Sequence, residues 1–524
     1  MKQLGGMDAS FLYMETPQTP MHVAGLSIIE LPKDFEGNFY EVYKTQIAAR
    51  LHLVPVLHKK LLQVPWDIDH PLWVDDDEME IDYHIRNLGL PKPGTMKQLE
   101  ELVGRLHSNF LDRSRPLWEF YVIDGLADKH VAVYTKIHHA AVDGGAGMAL
   151  TQMMYDLTPV PRKVEPPPPR SGKSEAPDSL KLLGAAVKNM FDQQVSAVRN
   201  IPDVLKAIAS IAAPMLKGPT SLQIKGLPSL SAPKTMLNVS ITSQRAFAAR
   251  SLSLAQSKAI AKQTETKLND VVMAVCAGAL RRYLLEKHGL PKEPLLAMVP
   301  VSLREAGNTE ANNQVSGMLC SLATDIDDPL ERLRAIRASS LEAKEFSGKI
   351  KNATPRDFSM FGAPLLLQSA IGLYGRSGLA DRLPPPANVV ISNVPGPQAP
   401  LYLAGAKVLT LYPVSIPSHG MALNLTVQSY CGALDFGLTA CRRTVPELGK
   451  LAGYLEESLL ELHDAVMGEA PVAVAATSVR APRPRARLSA ARSAVPTKPR
   501  TVAAKPKTLP PKPGRAAKAP RKSA

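Results

Sequence analysis

The most regular stretch of the chain is VAVYTKI at residues 131–137, where β-branched and aromatic residues alternate as in a strand. HHAAVDGGAG follows it, and then comes MALTQMMYDL, whose apolar residues have helical spacing. The pattern predicts a strand, a loop and a helix in that order. Residues 1–158 mix such strand and helix patterns, which is typical of an α/β domain.

Residues 236–469 carry a second α/β pattern. Asn269 and Asp270 are predicted to cap a helix over VVMAVCAGALRRYLLEK, because short polar side chains satisfy the free amides of a first helical turn. LLAMVPVSL and ANVVISNV are apolar runs of a length typical of buried strands. The chain is therefore predicted to fold into two α/β domains.

Residues 159–235 separate these domains and begin with a Pro-rich linker, PVPRKVEPPPPRSGKSEAPD. From Leu180 to Ile211 apolar residues recur at steps of three and four, which predicts an amphipathic helix broken or kinked at Pro202. Such a helix either bridges the domains while packed on them or lies on a lipid surface. Residues 470–524 form a Pro/Ala/Lys/Arg tail without acidic residues, and we expect it to be disordered.

Charge is distributed unevenly along the 524 residues, whose formal net charge is +14. Residues 471–524 hold 14 of the 62 basic residues and no acidic one, so 48 basic and 48 acidic residues remain elsewhere. The excess basic charge therefore says nothing about what the folded part binds.

The four cysteines lie far apart, with no CxxC pair, which disfavours a disulfide framework and a structural zinc site. The N-terminus lacks the apolar stretch of a secretory signal, and no run of about 18 uncharged apolar residues occurs. We expect a cytoplasmic protein that can touch a membrane surface without crossing it.

The segment after the first predicted strand spells HHxxxDG, from His138 to Gly144. Adjacent strand residues point to opposite faces, so only one of the two histidines can face a given cavity. An imidazole can serve as a general base near neutral pH, here deprotonating a hydroxyl or amine that attacks an activated acyl group. An HH pair alone is more often a packing or surface feature than a base.

Six segments in the same order resemble the bacterial wax ester synthase/diacylglycerol acyltransferase family, a branch of the CoA-dependent acyltransferases that include chloramphenicol acetyltransferase and condensation domains. They are TPMHVAGL (19–26), RPLWEFYVIDG (115–125), HHAAVDG (138–144), NDVVMAVCAGALRRYL (269–284), PVSLR (300–304) and NVVISNVPGP (388–397). The resemblance implies a two-domain α/β fold of the chloramphenicol acetyltransferase type with a central channel. The chain departs from the family in the segment 159–178 and in the basic tail, both of which look like additions.

The resemblance also implies the roles of the motif residues. His139 would be the general base and His138 its inward-packed, supporting neighbour. Asp143, beside Gly144 in the tight turn, would be structural and paired with an arginine, for which Arg304 is the candidate. Acyl-CoA would be a co-substrate, and no bound cofactor or metal ion is expected.

Two motifs have both a structural and a functional interpretation. Pro116, Leu117 and Trp118 could be a strand or turn anchored by a buried indole, or they could contact substrate. Asn269 could be an N-cap, or its amide could donate to the thioester oxygen.

The loop from Asn393 to Pro397 would be rigid because of Pro395 and Pro397, while Gly396 permits close backbone approach. These properties suit a wall of the acyl tunnel or a latch between domains better than a catalytic group.

The sequence thus predicts an acyl-CoA-dependent O-acyltransferase that esterifies diacylglycerol or a long-chain alcohol at the inner membrane face or on lipid inclusions. A carrier-protein-dependent condensing enzyme would share HHxxxDG. A nucleic-acid-binding protein acting through its basic tail is a more distant alternative, because it leaves the other motifs unexplained. GxxxxGK[ST], GxGxxG and GxSxG are all absent, so nucleotide hydrolysis, dinucleotide redox chemistry and serine hydrolysis have no support.

Overall fold

A computed structural model of the chain describes residues 2–64, 69–142, 144–167, 232–302, 315–350 and 377–468. Within these ranges the strands are β1 (Lys2–Gln3), β2 (His22–Glu30), β3 (Lys59–Leu62), β4 (Leu72–Asp75), β5 (Ile85–Gly89), β6 (Trp118–Asp124), β7 (His130–His138), β8 (Arg245–Ser253), β9 (Leu296–Ser302), β10 (Val315–Ser321), β11 (Val389–Val394), β12 (Tyr402–Leu403), β13 (Ala406–Val414), β14 (Leu423–Tyr430) and β15 (Ala433–Cys441). The helices in the same ranges are α1 (Gly6–Met14), α2 (Phe39–Arg50), α3 (Ile81–His84), α4 (Met96–Ser108), α5 (Gly144–Met154), α6 (Leu254–Gln263), α7 (Leu268–Glu286), α8 (Pro329–Ile350) and α9 (Leu448–Met467).

The first six-stranded sheet has the order β12-β13-β2-β7-β6-β5. Its centre is the antiparallel pairing of β2 with β7, in which His22 lies opposite His138. On the outer side of β2 lies β13, a strand from the C-terminal half of the chain, with Leu411 opposite Ser27. The N-terminal half therefore completes this sheet with strands that are almost 400 residues away in sequence.

The second six-stranded sheet has the order β10-β9-β11-β14-β15-β8. Here β11 pairs in parallel with both β9 and β14, while the outer pairs are antiparallel. A smaller sheet of order β1-β4-β3 lies in the N-terminal half. The mixture of sheets and helices confirms the predicted α/β class.

Among the described residues, three large apolar clusters hold these layers together. One surrounds the buried length of α7 in the C-terminal half, and a second lies between the first sheet and the N-terminal helices. The third connects the two large sheets: Leu26 and Tyr134 from the first, Phe247 from β8 of the second and Leu99 from α4 pack together. Side chains along β7 alternate between the last two clusters, as the period of a strand requires.

The strand, loop and helix predicted around HHxxxDG are confirmed, since β7 ends at His138 and α5 begins at Gly144. β9 and β11 confirm the two other predicted strands.

The predicted cap of the later helix is wrong in detail. The N-cap of α7 is Lys267, which places Asn269 inside the first turn. Asp270 still satisfies a terminal amide, because its Oδ2 accepts the Lys267 N–H at 3.0 Å. A carboxylate near a helix N-terminus can act from the third position as well as from the cap itself.

The predicted amphipathic helix from Leu180 to Ile211 and the basic tail lie outside the described residues. No helix in the described ranges is long and apolar enough to cross a bilayer.

Candidate active site

Three of the sequence motifs lie on neighbouring strands of the first sheet, at the end of β7. The His138 N–H donates to the Leu117 carbonyl at 2.9 Å, just before β6. The His139 N–H donates to the Met21 carbonyl at 2.8 Å, just before β2. The backbone that carries the two histidines is therefore fixed from both sides.

The histidine side chains have different environments. His138 is 1% exposed, and its Nδ1 accepts the Ala140 N–H at 3.1 Å. His139 begins the short 3₁₀ turn that follows β7, and its ring stacks on Phe11 with centroids 3.9 Å apart and planes 16° apart. Burial lowers the pKa of His139 to about 4, opposed by a backbone hydrogen bond and assisted by His138. The imidazole is therefore unprotonated at pH 7, with a free lone pair, and is a weaker base than an exposed imidazole.

An ion pair between a buried carboxylate, Glu15, and the half-buried Arg113 lies beside His138. Glu15 Oε2 accepts hydrogen bonds from two Arg113 nitrogens at 3.0 and 2.7 Å, and Glu15 Oε1 accepts the Met21 N–H at 3.0 Å. Burial raises the pKa of Glu15, but the contact with His138, the Arg113 charge and the Met21 amide outweigh it and lower the pKa to about 2. The carboxylate is therefore ionised throughout the physiological range.

Glu15 and Arg113 also line an open groove of about 260 Å³, together with Thr16, Pro17, Phe110 and Leu111. The ion pair thus contacts His138 and also contributes to the lining of this groove.

The PLW motif packs beneath the site. Pro116, Leu117 and Trp118 are all buried, and the Trp118 Nε1–H donates to the Leu57 carbonyl at 2.9 Å. The indole also stacks on the His84 ring with centroids 4.4 Å apart. This packing suits the anchoring interpretation of the motif, and contact with substrate stays a prediction.

The ND and NVPGP motifs meet each other in the C-terminal half. The Asn393 amide donates to Asn269 Oδ1 at 3.3 Å. The Gly396 N–H donates to Ser429 Oγ at 3.1 Å, and a Cβ on Gly396 would collide with the Ser429 carbonyl oxygen. Gly396 therefore permits the close backbone approach expected of it, whereas Pro395 is exposed. In the described parts of the chain, this group shares no hydrogen bond with the histidine pair.

Asp143 and Arg304, the predicted ion pair of the turn, lie outside the described residues, so their pairing stays a prediction. Gly144 is the first residue of α5. Among the described residues, no three His, Cys, Asp or Glu side chains are placed to hold a metal ion.

Sequence reasoning missed Phe11, Glu15 and Arg113. Glu15 and Arg113 are 98 residues apart, and neither belongs to a catalytic motif by its spacing. The closeness of Glu15 to TPMHVAGL and of Arg113 to RPLWEFYVIDG is the only signal that could have suggested them.

Comparison with known proteins identifies a family. The model of the wax ester synthase/diacylglycerol acyltransferase catalytic domain matches residues 4–272, and that of the corresponding C-terminal domain matches residues 311–463. Two similar proteins are a Mycobacterium bovis protein named as a diacylglycerol O-acyltransferase and the O-acyltransferase WSD of Acinetobacter baylyi. The first is 39% identical over 88% of this chain and 98% of its own, and the second is 36% identical over 88% and 96%.

Solved structures show the same relationship. The wax ester synthase/diacylglycerol acyltransferase of Marinobacter aquaeolei is 32% identical, with a TM-score of 0.63 over 88% of this chain and 100% of that one. The starter condensation domain of rhizomide synthetase has a TM-score of 0.51 over 89% and 95% of the two chains, at 13% identity. The second likeness shows a shared fold only.

Proposed function

The chain belongs to the wax ester synthase/diacylglycerol acyltransferase family, and we propose that His139 is the general base of its acyl transfer. The protein is an acyl-CoA-dependent O-acyltransferase with the two-domain α/β fold of its relatives. Its acceptors are diacylglycerol, giving triacylglycerol, and long-chain alcohols, giving wax esters.

His139 removes the hydroxyl proton as the acceptor oxygen attacks the thioester carbonyl of acyl-CoA. The carbonyl oxygen becomes an oxyanion, which amide donors stabilise. The tetrahedral intermediate then expels the CoA thiolate, and the imidazolium returns the proton to its sulfur. Atoms and charges balance without a covalent acyl-enzyme.

The single observation that carries this assignment is the placement of a neutral, stacked imidazole at the end of β7. A base that is unprotonated at working pH can accept the proton as soon as the acceptor is in position. Asn269 is a candidate oxyanion donor, since the bond from Asn393 to its Oδ1 leaves the Asn269 amide hydrogens to point elsewhere. Asp143 is assigned a structural role, with Arg304 as its partner.

His139→Ala should abolish esterification while the fold persists. Loss of a general base lowers the rate about 10²- to 10⁴-fold. The measurement is release of CoA from acyl-CoA in the presence of dispersed diacylglycerol, with circular dichroism to monitor folding. His130→Ala, at the opposite end of β7, is the matched control and should keep its activity. Near-normal turnover by folded His139→Ala would overturn the assignment.

A parallel assay of the unaltered protein with acyl-CoA and either diacylglycerol or hexadecanol ranks the two acceptors. Turnover of free acyl-CoA also separates this function from that of a carrier-protein-dependent enzyme, which needs its acyl group on a carrier.

We also propose that the enzyme works at a membrane face or lipid inclusion, where water-insoluble acceptors concentrate. Nucleic acid is the competing partner for its basic tail.

A further inference from the structure

Helix α1 and the residue that follows it contact both histidines of the active site. The Phe11 ring lies flat against the His139 ring, with centroids 3.9 Å apart. Glu15, at the C-terminal end of the helix, places Oε1 3.4 Å from His138 Nε2. One short segment therefore contacts the proposed base and its neighbour at the same time.

The carboxylate of Glu15 is itself held in place. Arg113 donates to Glu15 Oε2 and also to the Leu12 carbonyl, at 2.7 and 2.8 Å. This guanidinium therefore ties the Glu15 side chain to the last turn of α1. The Met21 N–H holds the other carboxylate oxygen, and the Glu15 side chain is only 5% exposed. A charge-assisted pair with these additional bonds has little freedom to move.

Hydrogen bonding fixes the tautomer of His138. Because Nδ1 accepts the Ala140 N–H, it carries no hydrogen, so the ring hydrogen of the neutral imidazole is on Nε2. That nitrogen is the one that faces Glu15. The Glu15 carboxylate beside Nε2 thus favours one orientation of the His138 ring. In that orientation Nδ1 accepts the Ala140 N–H and holds the main chain of residues 139–141.

We infer that Glu15 is a positioning residue for acyl transfer: with Arg113 it orients His138, and His138, through the Ala140 amide, holds the turn that carries His139. Phe11 completes the arrangement by restricting the His139 ring. The inference rests on the proposed function, since it assigns Glu15 a role only if His139 is the base.

The chain offers a matched control for the loss of a buried carboxylate. Glu100 is buried much like Glu15: the whole residues are 8% and 9% exposed, and their side chains 11% and 5%. It too accepts a backbone amide, from Ala249 at 2.9 Å, and lies near an arginine, Arg250 at 3.6 Å. Glu100 lies on α4, and its described contacts include no histidine. Burial raises the pKa of Glu100, whereas its partners lower that of Glu15 to about 2. Glu100→Gln therefore controls for replacing a buried, amide-bonded glutamate, and not for the loss of an equally strong ion pair.

The experiment compares Glu15→Gln and Glu100→Gln in the full chain. Glu15→Gln should lower kcat about 10- to 100-fold, the size expected when a reacting group is displaced by about 1 Å. KM for acyl-CoA should stay unchanged, because Glu15 is not proposed to touch substrate. Glu100→Gln should keep kcat within about twofold even if its melting temperature falls.

A double-mutant cycle separates positioning from general stability. In a His138→Ala background, Glu15→Gln should cause no further loss of kcat, because the group through which it acts is gone. Glu100→Gln should have the same effect in both backgrounds. Full activity of Glu15→Gln, or an equal loss in both backgrounds, would overturn the inference.

Two further variants cover the remaining outcomes. If Glu15→Gln does not fold, Phe11→Leu tests the same positioning: it should lower kcat with KM unchanged, and unaltered kcat would count against the inference. His139→Ala is assayed in parallel. An active His139→Ala protein would remove the proposed function, whereas an inactive one beside a fully active Glu15→Gln would remove only the role of Glu15.

Discussion

At the scale of single residues, buried histidines near the active site make the stability of the fold depend on pH. His107, at the end of α4, donates from Nε2 to the Ser415 carbonyl at 2.9 Å, and its Nδ1 accepts the Tyr134 hydroxyl at 2.8 Å. Burial lowers the pKa of His107 to about 3, with smaller contributions from Arg245 and Lys136. Burial also lowers the pKa of His22, whose Nε2 donates to the His107 carbonyl at 3.0 Å.

We predict that the free energy of unfolding falls as the pH drops below about 6.5. The unfolded chain binds a proton at each of these histidines near that pH, whereas the folded chain does not, so acid favours unfolding by about 1.4 kcal/mol per unit of pKa depression. Asp435, whose burial raises its pKa to about 6, acts in the opposite direction but cannot offset His107, His22 and His139 together.

Urea unfolding between pH 7.5 and 4.5 measures this dependence. His107→Gln should be less stable at pH 7.5 but lose less stability on acidification, because it removes one of the depressed groups. Equal slopes for the parent and His107→Gln would contradict this explanation.

At the scale of elements, the two large sheets touch where β15 passes β13. A Cβ on Gly437 of β15 would overlap the Pro413 carbonyl oxygen of β13. The Pro413 carbonyl and the Gly437 Cα that would carry the new Cβ are both backbone atoms of strands paired on both sides. Neither can rotate away as a flexible side chain would. The contact lies beside the apolar cluster shared by the two sheets, which includes Tyr412 and Val414.

Gly437→Ala should therefore destabilise the protein by about 1–3 kcal/mol, the usual cost of overpacking a core, or by more if the sheets must separate. Thermal unfolding measures the loss. Gly453→Ala is the control, because Gly453 lies inside α9 with open space around it and alanine favours helix by about 1 kcal/mol. The two alanines should shift the melting temperature in opposite directions, and a neutral Gly437→Ala would show that the contact is loose.

At the scale of the whole molecule, charge is separated along the chain. Residues 471–524 carry 14 positive charges and no negative one, while the rest is formally neutral. Anionic lipid attracts basic residues by about 1 kcal/mol each near its surface, and salt screens the attraction. Nucleic acid would attract the same charges. Under the function proposed above, we expect lipid to be the partner of the tail, because water-insoluble acceptors concentrate in it.

Truncation after Glu469 should leave the turnover of detergent-dispersed acceptor unchanged and reduce co-sedimentation with anionic vesicles, most strongly at low salt. Replacing the tail lysines and arginines with glutamine should have the same effect as truncation. Competing DNA added to the vesicles tests the nucleic-acid alternative. Equal vesicle binding by full-length and truncated proteins would refute the lipid role, and loss of activity in detergent would mean that the fold needs the tail.

The sequence by itself determined the elements with strong local periodicity. β7, the helix after HHxxxDG and α7 were predicted because each pattern lies within one segment, where neighbouring residues alone set the period. The order of the six segments likewise predicted the family, which the comparisons confirm. The cap of α7 was misplaced, since Asp270 can serve a helix N-terminus from inside the first turn as well as from its cap.

Tertiary structure alone decided which distant residues meet. The pairing of β13 with β2 joins residues such as Leu411 and Ser27, and the sequence of neither strand specifies which strand it pairs with. The Glu15–Arg113 pair depends in the same way on how α1 packs against the end of β7. Local patterns encode which face of an element is apolar, but partners across a fold are chosen by the packing of the whole core, which no single segment contains.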